Sequence, residues 1–129
     1  PTLEQIAASN LINTPESYFY GVKAEYENRR NILYNALYKI PGVICEKPTG
    51  AFYIIAKLPV KDVEDFAKWM LTDFSYNNKT VMFAPAEGFY ATPGLGKDEV
   101  RFSYCINSDE LEDAMDIFER GLIQYLNMQ

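Results

Sequence analysis

Apolar residues along the chain change their spacing at a few well-marked points, and those points divide it into elements. From Leu3 they fall at Ile6, Ala7 and Leu11, the three-and-four step of a helix, and the run stops at Asn13–Thr14–Pro15. Thr14 is suited to cap a second helix with Pro15 at its first position. That helix carries the stripe Phe19, Val22, Tyr26, Leu33 and Leu37, and ends at Pro41–Gly42, a breaker followed by a residue tolerant of positive φ. The character then changes to strand. Val43–Ile44–Cys45 and Ala51–Phe52–Tyr53–Ile54–Ile55–Ala56 flank a turn at Lys47–Pro48–Thr49–Gly50 and are placed to pair as a hairpin.

A third helix is predicted from about Asp62, where Val63, Phe66, Ala67, Met70 and Phe74 recur at helical steps. Thr80 to Ala84 reads as a short strand ended by Pro85. After a loop from Ala86 to Asp98, Val100 to Ile106 reads as another strand, with Arg101, Ser103 and Cys105 on one face and Phe102 and Tyr104 on the other. Asn107 and Glu110 have the spacing of a capping box, and Leu111, Ala114, Met115, Phe118, Leu122 and Leu126 mark the buried stripe of a last helix. This order predicts an α+β fold of two layers, a short, mainly antiparallel sheet of about four strands covered by helices. A sheet packed on one face leaves the other for solvent or a partner.

The length of 129 residues and a hydrophobic content of 48% suit one domain spanning 1–129, with no repeat or linker to divide it. No run approaches the roughly 18 apolar residues of a membrane span, and Pro1 to Asn10 lacks the layout of a secretory signal. The chain opens at proline and is helical almost at once, as a piece of something longer would be; loss of an initiator methionine gives the same start. With 18 acidic against 12 basic residues the net charge is −6, and the scattered cations argue against nucleic acid. Histidine is absent, which removes Ser–His–Asp and Cys–His hydrolysis. Cys45 and Cys105 are read as buried strand residues in a reducing, cytoplasmic setting, without the spacing of a metal site and with a disulfide disfavoured.

Several segments in sequence resemble one family. Pro1–Thr2–Leu3–Glu4–Gln5 looks like a helix entry, Tyr26 with Arg29 and Arg30 resembles a Tyr-x-x-Arg-Arg stretch, and Lys47–Pro48 with Gly50–Ala51–Phe52–Tyr53 resembles a Lys-Pro-x-Gly-Ala-Phe-Tyr strand. Pro85 with Gly88–Phe89–Tyr90 resembles a Pro-x-x-Gly-Phe-Tyr loop, and Glu99–Val100–Arg101–Phe102–Ser103–Tyr104 resembles a strand bearing a substrate-binding arginine. Together they resemble the C-terminal small domain of the class I/II pyridoxal-phosphate aminotransferases, most closely the aspartate aminotransferase branch. The resemblance implies a fragment of an enzyme that moves an amino group between an amino acid, aspartate in that branch, and a 2-oxo acid. It implies pyridoxal 5′-phosphate held by an upstream large domain that also carries the Schiff-base lysine, and a homodimeric parent. It leaves this chain without a catalytic residue and inactive alone.

For Arg101 the resemblance implies a forked contact with the substrate's α-carboxylate, a task suited to a planar, permanently charged guanidinium. The plainer alternative is a surface ion pair. Phe52 is either a substrate-side residue at the mouth of the site or a core aromatic. Gly50 and Gly88 are read as serving turn geometry, Arg29 and Arg30 as a solvated helix face that touches the large domain, and the lysines as surface charges. The competing functional reading is a free-standing small-molecule-binding or regulatory α+β domain.

Overall fold

The structure, a computed structural model, describes residues 1–128. Helix α1, Thr2–Ser9, leads through a 3-10 turn at Asn10–Asn13 into the long helix α2, Glu16–Lys39. Strands β1, Ile44–Cys45, and β2, Tyr53–Lys57, precede helix α3, Val63–Thr72. Strand β3, Ala84–Pro85, a 3-10 turn at Glu87–Phe89, strand β4, Glu99–Ser103, and helix α4, Ser108–Leu126, complete the chain. The sheet has the order β1-β2-β4-β3 and every pairing is antiparallel, as the α+β reading expected.

One face of the sheet is packed. Ile54 and Ala56 of β2, Val100 and Phe102 of β4, and Tyr104 beyond it turn inward. They meet Leu33 and Leu37 of α2, Val63, Phe66 and Met70 of α3, and Leu111, Met115, Phe118 and Leu122 of α4. Phe118 is the hub: its ring lies edge-on to Phe102 at 4.8 Å, Phe83 at 5.6 Å and Phe66 at 6.0 Å, the arrangement that ring quadrupoles favour. Both later helices have side-chain caps. Asp62 accepts from Glu64 N and Asn107 accepts from Glu110 N, so each closes an orphan donor of the first turn.

The opposite face is open, because strand alternation sends Tyr53, Ile55 and Lys57 of β2 and Arg101 and Ser103 of β4 away from the helices. Several sequence expectations need correction. Thr14 does not cap α2. The residue before a proline is pushed toward extended backbone, and both Thr14 and Pro15 are extended, so Pro15 itself stands at the cap without a side-chain bond. Within α2 only Leu33 and Leu37 are buried, while Phe19 and Val22 are exposed. A helix of this length runs about 36 Å at 1.5 Å per residue, roughly twice the span of a five-residue strand; the excess has no layer beneath it. Of the predicted strand Thr80–Ala84 only Ala84 joins the ladder, paired to Arg101. Thr80 Oγ1 instead donates to Met70 O at 2.6 Å, and Val81 and Phe83 pack on the core. Pro85 lies within β3 rather than ending it, at an edge where its missing N–H leaves no ladder bond unmade. The last strand stops at Ser103, leaving Cys105 exposed, and Cys45 is only half-buried, its thiol pushed up by desolvation.

Candidate functional site

Arg101 projects from the centre of the open face. On β4 it stands opposite Ile55 of β2 and Ala84 of β3. Its guanidinium carbon lies 4.7 Å from the centre of the Phe89 ring and 5.5 Å from that of Tyr53. Because β2 and β3 flank β4 on its two sides, the rings approach from the strand before it and from the turn after β3. Among the described residues no carboxylate forms an ion pair with Arg101. The surface-ion-pair alternative does not hold; the cation rests on aromatic faces, a contact worth about 0.5–1 kcal/mol at an exposed position.

With Tyr53, Ile55, Ala86, Phe89 and Tyr90, Arg101 lines a depression of about 310 Å³. The turn that supplies Phe89 is tied to the sheet: Phe89 N donates to Ala86 O at 2.9 Å and Ala86 N to Glu99 O at 2.9 Å. Tyr90 donates its hydroxyl to the Glu99 carboxylate, whose hydrogen bond, first, and then burial raise the tyrosine pKa. Lys57 bonds Asp98 at 2.8 Å.

Phe52 is not in the core. It is 53% exposed, just before β2, with its ring edge-on to Tyr53 at 5.7 Å, and it does not line the depression. The turn behind it is held by Tyr104, whose N donates to Phe52 O at 2.9 Å and whose hydroxyl donates to Ala51 O at 2.9 Å. The left-handed residue in this turn is Ala51, φ +61, rather than Gly50. Neither Gly50 nor Gly88 has positive φ or a neighbour that a β-carbon would meet, so the turn role assigned to both is corrected. Arg29 is not a solvated residue either: Nη1 donates to Cys105 O at 2.6 Å and Nε to Glu25 at 2.7 Å, clamping α2 to the exit of β4. Arg30 reaches Pro48 O at 3.3 Å and is half-buried.

Sequence reasoning singled out Arg101 but not the company it keeps. Tyr53 and Ile55 could have been placed by alternation once the strand pairing was known, whereas Phe89 and Tyr90 carry no periodic signal. A Schiff-base partner for pyridoxal phosphate needs a lysine of lowered pKa. Every lysine here is exposed, and Lys57 and Lys79 are pushed the other way by hydrogen bonds, then charge, from Asp98 and Asp113. The residues of this chain do not fit that cofactor.

No family model matches the chain. The aspartate aminotransferase of Bacillus subtilis (strain 168) is 31% identical to it over 126 residues, which is 92% of this chain and 30% of that protein. The aromatic-amino-acid aminotransferase 2 of Thermococcus litoralis is 31% identical over 127 residues, 94% of this chain and 30% of that protein. Among solved structures, the alanine aminotransferase from Pyrococcus furiosus matches with a TM-score of 0.77 at 31% identity, over 93% of this chain and 29% of that one. LysN, an alpha-aminoadipate aminotransferase from Thermus thermophilus, reaches 0.83 at 22% identity over 100% of this chain and 33% of its own, a likeness of fold alone. The chain thus spans about 30% of the length of the curated relatives it matches. Its likeness in sequence and in fold covers nearly every residue described, and the chain is homologous to the pyridoxal-phosphate-dependent aminotransferases, aspartate aminotransferase among them, as a piece that corresponds to their small-domain portion.

Proposed function

We propose that residues 1–129 act as a single domain that supplies the carboxylate-binding cation of an aminotransferase, working with a larger, cofactor-holding remainder of the same protein. The reaction is amino-group transfer between an amino acid, aspartate first among the donors to try, and a 2-oxo acid. Pyridoxal phosphate supplies the electron sink when bound, and it and its lysine belong to the remainder. The working protein is a cytoplasmic homodimer in this reading.

The observation that carries the proposal is Arg101: a guanidinium on an open sheet face, oriented by two rings and without an acidic partner among the described residues. A planar fork can take both oxygens of an α-carboxylate at once and so fix the angle at which the substrate arrives. Phe52, exposed just before β2 with its ring edge-on to Tyr53, is a second substrate-side residue in this proposal.

The test is steady-state kinetics of the full-length protein with Arg101→Ala and Arg101→Lys. Charge-assisted hydrogen bonds contribute about 1.5–3 kcal/mol each, so losing both bonds of the fork lowers kcat/KM by about 10²- to 10⁴-fold. Lysine recovers part of the loss, since it restores the charge and not the geometry. Unchanged kinetics in both variants sinks the assignment.

A further inference from the structure

Arg101 has a built-in competitor for any arriving anion. Glu99 lies two residues back on β4, and residues two apart on a strand share a face. A same-strand pair between them would neutralise the guanidinium. Instead Glu99 Oε2 accepts the hydroxyl of Tyr90. Lys57, opposite Glu99 in the ladder, gives its ammonium to Asp98 at 2.8 Å.

Tyr90 is itself held in place. Its N donates to Glu87 O at 3.1 Å, and its ring lies so close over Gly96 that a β-carbon there would overlap it. Gly96 is also left-handed, φ +77, a conformation that costs a side-chain-bearing residue strain. The loop is therefore shaped to seat this ring, and the hydroxyl points to one carboxylate oxygen. The neighbouring Phe89 rests on Arg101. A single dipeptide thus touches both the cation and its competitor.

We infer that Tyr90 is a positioning residue: by holding the Glu99 carboxylate, it keeps an adjacent acid from pairing with Arg101 and leaves the guanidinium open to a substrate carboxylate. This rests on the reading of Arg101 as the carboxylate-binding group. The hydroxyl acts through Glu99, the one side-chain acceptor it has among the described residues.

The experiment uses the full-length protein, with L-aspartate or L-alanine as amino donor and 2-oxoglutarate as acceptor. Tyr90→Phe keeps the ring over Gly96 and removes only the donor. The released carboxylate then competes for Arg101 with the strength of an exposed ion pair, so KM for the donor rises by about two- to five-fold. The effect falls on KM rather than kcat. Adding Glu99→Gln removes the competitor and returns KM to the parent value, a rescue that a packing role for Tyr90 would not give. A KM that stays high in the double variant overturns the inference. So does an unchanged KM in Tyr90→Phe when Arg101→Ala raises it, and then the carboxylate-binding reading survives. If Arg101→Ala leaves KM unchanged, both fall together.

Discussion

Ala51 and Tyr104 show how much a single position can ask of its neighbours. A left-handed φ of +61 presses the alanine β-carbon toward its own backbone, at a cost of roughly 1–2 kcal/mol. The Tyr104 hydroxyl on Ala51 O and the Tyr104 N on Phe52 O offset part of that cost from within the core. Ala51→Gly relieves the strain but gives the unfolded chain more freedom, worth about 0.4–1 kcal/mol. Strain wins on these magnitudes, and the variant should be more stable by up to about 1 kcal/mol in urea unfolding. A lower midpoint would show the turn to be unstrained. From sequence, Gly50 attracts the turn role because glycine takes positive φ without steric cost. The tie from Tyr104, 53 residues away along the chain, is what lets alanine occupy that conformation instead.

At the scale of elements, local signals were legible where they had no competitor. Asn107 and Glu110 announced the start of α4, and the side chain does accept from the third backbone N–H. Replacing Asn107 by Ala should cost about 1 kcal/mol, read as a lower thermal or urea midpoint. No change would mean that water satisfies that donor equally well. The segment Thr80–Ala84 misled because an apolar run says that residues are wanted inside, not that their backbone is paired. Val81 and Phe83 reach the core from a nearly unpaired backbone, Phe83 edge-on to Phe118. The stripe on α2 failed for a related reason: periodicity reports a helix with one apolar side, and says nothing about whether a layer lies beneath all of it. Spacing offers Arg29 its helix partner Glu25 four residues back, but the contacts to Cys105 O and Pro48 O that tie Arg29 and Arg30 to the rest of the fold lie 76 and 18 residues off along the chain.

On the scale of the whole molecule, the α+β class and the antiparallel hairpin were legible, because alternation and turn residues fix both locally. The strand order was not, since it places β4 between β2 and β3 through contacts distant in sequence. The site was half legible: Arg101 stood out by motif, its aromatic setting only in three dimensions. With every lysine exposed, and Lys57 and Lys79 tied to Asp98 and Asp113, the isolated chain should neither retain pyridoxal phosphate through dialysis nor transaminate. A Schiff-base absorbance that survives dialysis would contradict this.

The stretch that leads into the long second helix carries Leu3, Ile6, Leu11 and Ile12, all exposed, and not one buried side chain. Such a tail adds stickiness to the isolated polypeptide without adding cohesion. Deleting residues 1–13 should therefore leave the unfolding midpoint where it was and reduce the fluorescence of a hydrophobic dye. A collapsed midpoint would reveal that the leading coils had been anchoring the remainder after all.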